Sequence, residues 1–396
     1  MTEVSPALQG DRRSPPLWLI ASLAAVGPFS ISLYLPALPA LANDLGASAA
    51  EGQLTLTLYL AGFAIGQLVY GPVSDRVGRR PVMLAGLVLY VVASLAAAAA
   101  AGVATLLIAR LAQALGACAG TVVTRAVVRD VTTGPEIART LAVIAAALAL
   151  SPALGPAIGG VVAVWVGWRA CFLLLAAAGA TLLVCTLFGL SETHSTPRSD
   201  RLAVAGVVHG YLGLLEDRVF VGFVLTAALI SGATYVYNVG APFVFIAILG
   251  LTPDVYGLLG LVTSAGYLVG TLLARRRAAL TSATRLTREG ALWSATGGLG
   301  LLGVASIGPI GAVPLIATMV VFAVGLGILY PTTAAAALAR HPEAAGAAAA
   351  VIGCAQVSSG MIATAALSLS NPTTATPMAL IVALCSILAL VNSALR

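Results

Sequence analysis

Twelve stretches of mostly apolar residues, each about as long as a membrane is thick, constrain this chain more than any single motif. They run over residues 17–38, 52–71, 82–101, 103–124, 138–162, 169–190, 219–247, 255–274, 291–308, 313–335, 346–369 and 375–395. A helix needs about 20 apolar residues to cross ~30 Å of hydrocarbon. Backbone in lipid must bond to itself, so each run is predicted to be a helix; the alternating pattern of a barrel, with segments of about 10 residues, is absent. The chain is 60% hydrophobic and only 9% charged, whereas a soluble domain is roughly 45–50% apolar and about 25% charged. A soluble enzyme, a disordered chain and a disulfide scaffold are thereby excluded. The expected fold class is an all-α membrane protein of twelve transmembrane helices, arranged as two six-helix halves.

All 20 basic residues are arginine, and there is no lysine. A phosphate-binding P-loop needs its lysine, so the chain by itself is not an ATP-driven pump. A lysine Schiff base to retinal or pyridoxal phosphate is equally excluded. No cofactor, metal or catalytic residue is expected, and the chain reads as no enzyme. With the N-terminus inside, 18 of the 20 arginines fall in cytoplasmic segments, and the outer loops keep only Arg169 beside Asp44, Glu51 and Asp254. The positive-inside rule then places both termini in the cytoplasm. The net charge of +6 is therefore a topology signal, with anionic lipid as its secondary partner and no nucleic acid implied.

The longest polar interval, 191–218, separates six runs from six. It divides the chain into a tail (1–16), a first half (17–190), a cytoplasmic linker (191–218) and a second half (219–396). The halves repeat at a shift of about 200 residues, with Gly71 at the end of the second run matched by Gly270 at the end of the eighth. Two six-helix halves with a substrate site between them form a transporter architecture. Arg12-Arg13 before an apolar run, followed by Ala40-Leu41-Ala42, superficially resembles a cleaved signal. The run is too long for that, and Pro36 and Pro39 interrupt its end. The five cysteines lie within spans without a C-x-x-C pair and read as apolar packing residues. His194, His209 and His341 read as solvated loop residues.

Three segments carry the functional signal. The loop after the second run reads Gly71-Pro72-Val73-Ser74-Asp75-Arg76-Val77-Gly78-Arg79-Arg80-Pro81. Gly71 permits close helix approach, Gly78 a tight turn, and Asp75 can sit at the positive N-terminal end of a neighbouring helix. The fourth run places Arg110, Gln113 and Gly116 at i, i+3 and i+6. A charge at that depth either faces a wet or paired interior or snorkels to the outer interface. The fifth run repeats small residues at Ser151, Gly155 and Gly159, with Gly160 following, and carries Pro152 and Pro156. The repeat lets another helix pack at backbone contact, and the prolines bend the helix.

These segments resemble the signature loop, second motif and exporter-type fifth-helix motif of the major facilitator superfamily. With LYLPALPALA in the first run and QLTLTLYLAGFAIGQLVYG in the second, the chain resembles the bicyclomycin/chloramphenicol-resistance (Bcr/CflA) branch of the twelve-span drug:proton antiporters. The resemblance covers nearly the whole chain, more loosely in the second half. It implies a rocker-switch fold, a bacterial inner-membrane location, monomeric function, and export of small hydrophobic compounds driven by the proton gradient.

One departure bears on coupling. Relatives of this branch carry an acidic residue two positions before the Tyr-Leu-Pro of the first span, where this chain has Ser32. None of the fourteen carboxylates maps to mid-membrane, and a serine hydroxyl does not titrate in range. The expected substrate is therefore neutral, zwitterionic or anionic, with Arg110 as the intramembrane charge that receives an acidic group. Any proton coupling falls to Asp75 and Asp130 at the inner face, the alternative being gradient-driven facilitation or uptake of a small metabolite. Candidate cavity-lining residues are Ser32, Tyr59, Arg110, Gln113, Tyr235, Asn238, Tyr267 and Gln356, each of which could instead bond a neighbouring helix. Tyr235 and Asn238, at i and i+3, share a helix face.

Overall fold

A computed structural model describes residues 15–132, 135–193, 212–308, 311–370 and 374–395. Arg12 and Arg13 of the tail, and His194, Arg198, Arg201 and His209 of the linker, lie outside the described residues. Among those described, twelve helical spans are long and apolar enough to cross a membrane, one for each apolar run.

The first span is broken where its prolines remove N–H donors. It comprises α1 (Leu17–Ser32), a tight turn at Leu35–Ala37 that contains Pro36, and α2 (Leu38–Asp44), which opens on Pro39. Helices α3 (Ala49–Val77), α4 (Arg79–Ala98), α5 (Val103–Val131), α6 (Pro135–Trp165) and α7 (Trp168–Gly189) follow. The next six spans are α8 (Arg218–Pro242), α9 (Pro253–Arg277), α10 (Ala283–Ile307), α11 (Ala312–Arg340), α12 (Ala345–Ser368) and α13 (Thr376–Ala394). After Pro242, α8 continues as a wider helical turn over Phe243–Ile248, an adjustment that re-satisfies the backbone beyond a proline.

Several helices outrun the apolar stretch that predicted them, mostly at one end. α3 reaches Val77 through Arg76, α5 reaches Val131 through Arg129, α9 ends on Arg275-Arg276-Arg277 and α11 on Arg340. Cations in a last turn complement the negative end of the helix dipole, so helix persists past the hydrocarbon boundary that hydropathy marks. The opposite end begins helices with other devices. Ser48 and Glu51 form a reciprocal capping box at the start of α3 (Glu51 N to Ser48 Oγ 3.2 Å, Ser48 N to Glu51 Oε2 2.8 Å).

Packing repeats between the first six spans and the last six. In the first set α3 packs on α5, α4 on α5 and α7, and α1 on α6; in the second α9 packs on α11, α10 on α11 and α13, and α8 on α12. The two most extensive contacts between the sets are α6 with α9 and α3 with α12, and a two-fold relation exchanges them. Glycines set these distances. A methyl group on Gly116 of α5 would come within 2.5 Å of the Tyr90 nitrogen on α4, and one on Gly270 of α9 would overlap the Val324 carbonyl on α11. Gly71 differs from the expectation: nothing lies within 4 Å of a methyl placed there. The close contacts of α3 fall earlier, at Gly62 against the Leu111 carbonyl and Gly66 against Cys118.

Candidate functional site

At the arginine-rich end, the loop 71–81 closes a charged network. Gly78 has φ +105°, the turn that its position requires and that a side chain would strain. The turn places Arg79 as the first residue of α4 with its side chain only 8% exposed. The Arg79 guanidinium donates to Asp75 Oδ1 at 2.5 Å, to Asp130 Oδ2 at 3.1 Å and to Ser74 Oγ at 2.7 Å. Asp75, Arg79 and Asp130, read separately in the sequence, thus form one cluster joining α3, α4 and α5. Arg76 points to solvent, and Arg80 donates to the Leu187 carbonyl at the end of α7.

The acid at the positive start of α4 is Glu192, correcting the placement expected for Asp75. Its carboxylate accepts the backbone N–H groups of Arg79 (2.9 Å), Arg80 (3.1 Å) and Thr193 (3.0 Å). Glu192 follows α7 by three residues with no local motif, so only the meeting of α7 with α4 reveals it. A second tie at this end joins α8 to α11. Asp217 caps α8 through the Val219 and Phe220 N–H groups and accepts from Arg340 at 2.5 Å and His341 at 3.2 Å. The Arg340 hydrogen bond, aided by those backbone donors, holds the Asp217 carboxyl down to about 2. Its contribution is full above the ordinary value near 3.8 and is lost only as pH falls toward 2. Asp217 therefore stays ionised at physiological pH and carries no proton there. His341 is no free loop residue: it also faces Glu343 at 3.5 Å and sets its ring edgewise on Phe220.

Deep in the first six spans, Arg110 is 0% exposed. Its guanidinium lies 4.1 Å from the Tyr34 ring centroid and 4.2 Å from that of Tyr59, with Phe172 at 5.7 Å. One nitrogen donates to Gln113 Oε1 at 2.5 Å and, at 3.4 Å, to the Ser30 carbonyl. Gln113 in turn donates to Ser94, while Tyr90 bonds Ser30 and Tyr59 donates to the Gly27 carbonyl. An aromatic sandwich thus takes the place of a carboxylate partner. Arg110, Gln113 and Tyr59 are each fully buried in this arrangement, and Arg110 does not reach the outer interface. All three are buried among the first span, α3, α4, α5 and α7: Gln113 and Tyr59 are hydrogen-bonded there, while Arg110 bonds through one nitrogen and leaves Nε and the other terminal nitrogen without a hydrogen-bond partner, facing the aromatic rings. Ser32 is sealed as well: it donates to the Ser151 carbonyl at 2.9 Å and fills the space beside Gly155.

That contact belongs to a two-sided seam on α6. Methyl groups on Gly155 and Gly159 would overlap Ser32 and the Leu33 carbonyl of the first span. One on Gly160 would overlap the Pro253 carbonyl at the start of α9, and one on Gly257 of α9 would overlap the Pro156 carbonyl. The small residues and Pro156 thus bind α1 on one face and α9 on another, while Pro152 is exposed. Thr57 of α3 donates to Thr364 of α12 at 2.9 Å nearby. The two sets of helices therefore touch at backbone distance toward the arginine-poor end.

The second six spans hold the accessible polar groups. Tyr235 and Asn238 on α8, Tyr267 on α9 and Gln356 on α12 are half-buried. Tyr267 packs on Tyr330 of α11 at 6.5 Å, whose hydroxyl bonds Ser231 of α8 at 2.9 Å. Tyr235 lies against Gly360 and within electrostatic reach of Tyr330. The structure thus groups Tyr235 and Tyr267 through Tyr330, a residue the sequence reading missed although Pro331 beside it marks a bend. Gln53 was missed as well: it is fully buried near the start of α3, beside Phe243, Val244 and Met378 of the other set, with neither amide atom bonded within the protein.

Twelve spanning helices in two sets related by a two-fold, touching along small-residue seams, define a membrane transporter architecture. The sequence profile described as Major Facilitator Superfamily matches residues 20–392, and the chain belongs to that family of transporters. It is 31% identical to the uncharacterized MFS-type transporter YdgK of Bacillus subtilis over 93% of this chain and 92% of that one. It is 24% identical to the bicyclomycin resistance protein homolog of Haemophilus influenzae over 92% of each. Among solved structures it resembles a D-xylose-proton symporter, with a TM-score of 0.74 at 16% identity over 95% of this chain and 96% of that one. At that identity the symporter speaks for the fold alone.

Proposed function

We propose that the chain exports small hydrophobic compounds, neutral, zwitterionic or anionic, from the bacterial cytoplasm by alternating access in exchange for protons, acting as a monomer. The observation that carries the reading is the contrast between the two ends of the α6–α9 and α3–α12 contacts. Glycines meet backbone of the opposite half toward the arginine-poor end (Gly160 at Pro253, Gly257 at Pro156), whereas toward the arginine-rich end the halves meet through the side chains of Gln67 and Arg129 at Gly353 and Gly346, and the ion pairs stay within one half each. Such an interface can part by rigid rocking without unmaking a core. The positive-inside rule assigns the arginine-rich end to the cytoplasm. The name of the Haemophilus relative supports drug export. Tyr235, Asn238, Tyr267, Tyr330 and Gln356 give a lining of aromatic and uncharged hydrogen-bonding groups suited to such compounds. A drug-susceptibility panel in an efflux-deficient host tests the reading. Raised resistance that an uncoupler abolishes is expected. Uncoupler-insensitive accumulation of substrate would replace export with facilitated uptake.

The proton is assigned to the Asp75–Arg79–Asp130 cluster. Protonating Asp130 removes one of the two carboxylates that hold Arg79, loosening the tie between α4 and α5. In proteoliposomes, Asp130→Asn is expected to lower pH-driven transport about tenfold, the loss of one charge-assisted bond. Asp75→Asn should lower it less, since that side chain is 52% exposed. Full pH-driven transport in both variants would remove the cluster from coupling.

A further inference from the structure

The cation placed to meet substrate is a different arginine from the one the sequence singles out. Arg110 is sealed, whereas Arg125 and Arg129 of the same helix are exposed. They stand at i and i+4 and so project from one face of α5. Arg125 lies six residues, about 9 Å, before the end of α5 at Val131, just past the apolar run 103–124. Neither side chain has an ion pair or hydrogen bond among the described residues, and Arg125 lies within electrostatic reach of the Cys118 thiol and of Arg129, of like sign. Arg79 pairs with Asp75 and Asp130, Arg277 with Glu289 and Arg340 with Asp217, while Arg76, Arg275 and Arg276 share with Arg125 and Arg129 the lack of an ion pair among the described residues.

The direction of that face is fixed by its neighbours. A methyl group on Gly346, in the first turn of α12, would come within 2.9 Å of an Arg129 guanidinium nitrogen. One on Gly353, two turns further along α12, would come within 2.7 Å of Gln67 Oε1 on α3. The face of α5 that carries both arginines therefore looks toward the second half rather than toward lipid. No side chain caps the start of α12, so its N-terminal N–H groups add positive potential to the same space. Two guanidiniums without an acid, beside the start of α12, are suited to receive an oxyanion.

We propose that Arg125, assisted by Arg129, is an oxyanion-receiving site at the cytoplasmic mouth of the cleft, which admits amphiphilic carboxylates as substrates. The proposal rests on the export reading for its direction and deepens it by naming a substrate class. The guanidinium fork takes the carboxylate in two parallel hydrogen bonds, and the tail enters toward the tyrosines of the second half. No covalent step is involved.

The test uses the full chain in phosphatidylcholine nanodiscs with 1-pyrenebutyrate and its uncharged amide as probes. The wild type is expected to bind the carboxylate about tenfold more tightly than the amide, a preference that fades at high salt. Arg125→Gln should abolish the preference while leaving amide binding and the melting profile unchanged, and Arg125→Lys should restore part of it. Equal preference in the wild type and Arg125→Gln would overturn the proposal. So would a preference that the wild type never shows, even where the susceptibility panel still reports export of neutral drugs. Replacing part of the lipid with phosphatidylglycerol separates the two sources of oxyanion. An Arg125 dependence seen only as phosphatidylglycerol binding would assign the site to a lipid headgroup and sink the substrate version. A carboxylate preference that depends on Arg125 in a chain without export would keep the site and refute the export reading.

Discussion

Tyr59→Leu is expected to destabilise the first six spans by about 3–5 kcal/mol. The side chain is fully buried, its ring forms one wall of the sandwich around Arg110 at 4.2 Å, and its hydroxyl donates to the Gly27 carbonyl at 3.0 Å. Leucine fills part of the volume but offers no electron-rich face, so the guanidinium loses about 2 kcal/mol of attraction in a site without water. Tyr59→Phe keeps the face and loses only the hydroxyl bond, a cost of about 1 kcal/mol. The two effects are separated by a double-mutant cycle. In an Arg110→Met background Tyr59→Leu should cost about 2 kcal/mol less, because the cation that needed the ring is gone. Thermal unfolding in detergent reads the difference: roughly 10 °C for Tyr59→Leu in the wild type and about half that in the Arg110→Met chain. Equal losses in both backgrounds would mean that the ring acts as volume alone.

Gly160→Val and Gly257→Val should each abolish most transport while the protein still folds. A side chain at either position would meet a carbonyl of the opposite half, that of Pro253 or Pro156. The clash exists only while α6 and α9 are in contact, so it penalises one arrangement of the halves and spares each bundle. Overpacking of about 2 kcal/mol against the closed seam shifts the ratio of arrangements roughly 30-fold. A reporter at Thr57→Cys, in a chain whose five native cysteines are alanine, reads that shift. Thr57 is 6% exposed and bonded across the halves to Thr364. In the glycine variants its thiol should label rapidly from the arginine-poor face, and in the parent slowly. Unchanged labelling with lost transport would place the glycines in substrate passage instead of closure. Gly155→Ala and Gly159→Ala, whose neighbours are Ser32 and Leu33 of the same half, should lower stability without changing that labelling.

These two expectations draw on different levels of information. The six small or proline positions of α6 were legible as a packing face because a repeat of four places residues on one side of a helix. That the stripe serves two partners was not legible, since nothing local distinguishes a neighbour in the same half from one across the boundary. Arg110 shows the reverse. Its presence at membrane depth was plain in the sequence, and the rule that such charges are functional and cavity-facing was the natural inference. Three rings, from the break in the first span and from α3 and α7, instead enclose it, and no spacing relates Tyr34, Tyr59 and Phe172 to Arg110 before the helices are assembled. Arg125 was counted among the charges that set topology, because position near a helix end looks the same whether the side chain faces headgroups or a cleft.

The sequence by itself determined the twelve spans, the arginine asymmetry between the two ends, the turn at Gly78 and the family. Each depends on hydropathy, charge or backbone freedom within a few consecutive residues. Only the tertiary structure decided which polar groups are sealed and which are open: Ser32, Tyr59, Arg110 and Gln113 in the first half against Tyr235, Asn238, Tyr267 and Gln356 in the second. It also brought Glu192 to the start of α4 and set the Arg129 guanidinium beside Gly346 of the opposite half. In a membrane protein whose every helix is apolar on most sides, the faces toward lipid, toward neighbours and toward the cleft carry nearly the same composition. Their assignment is fixed only where helices meet at glycine and at paired charge.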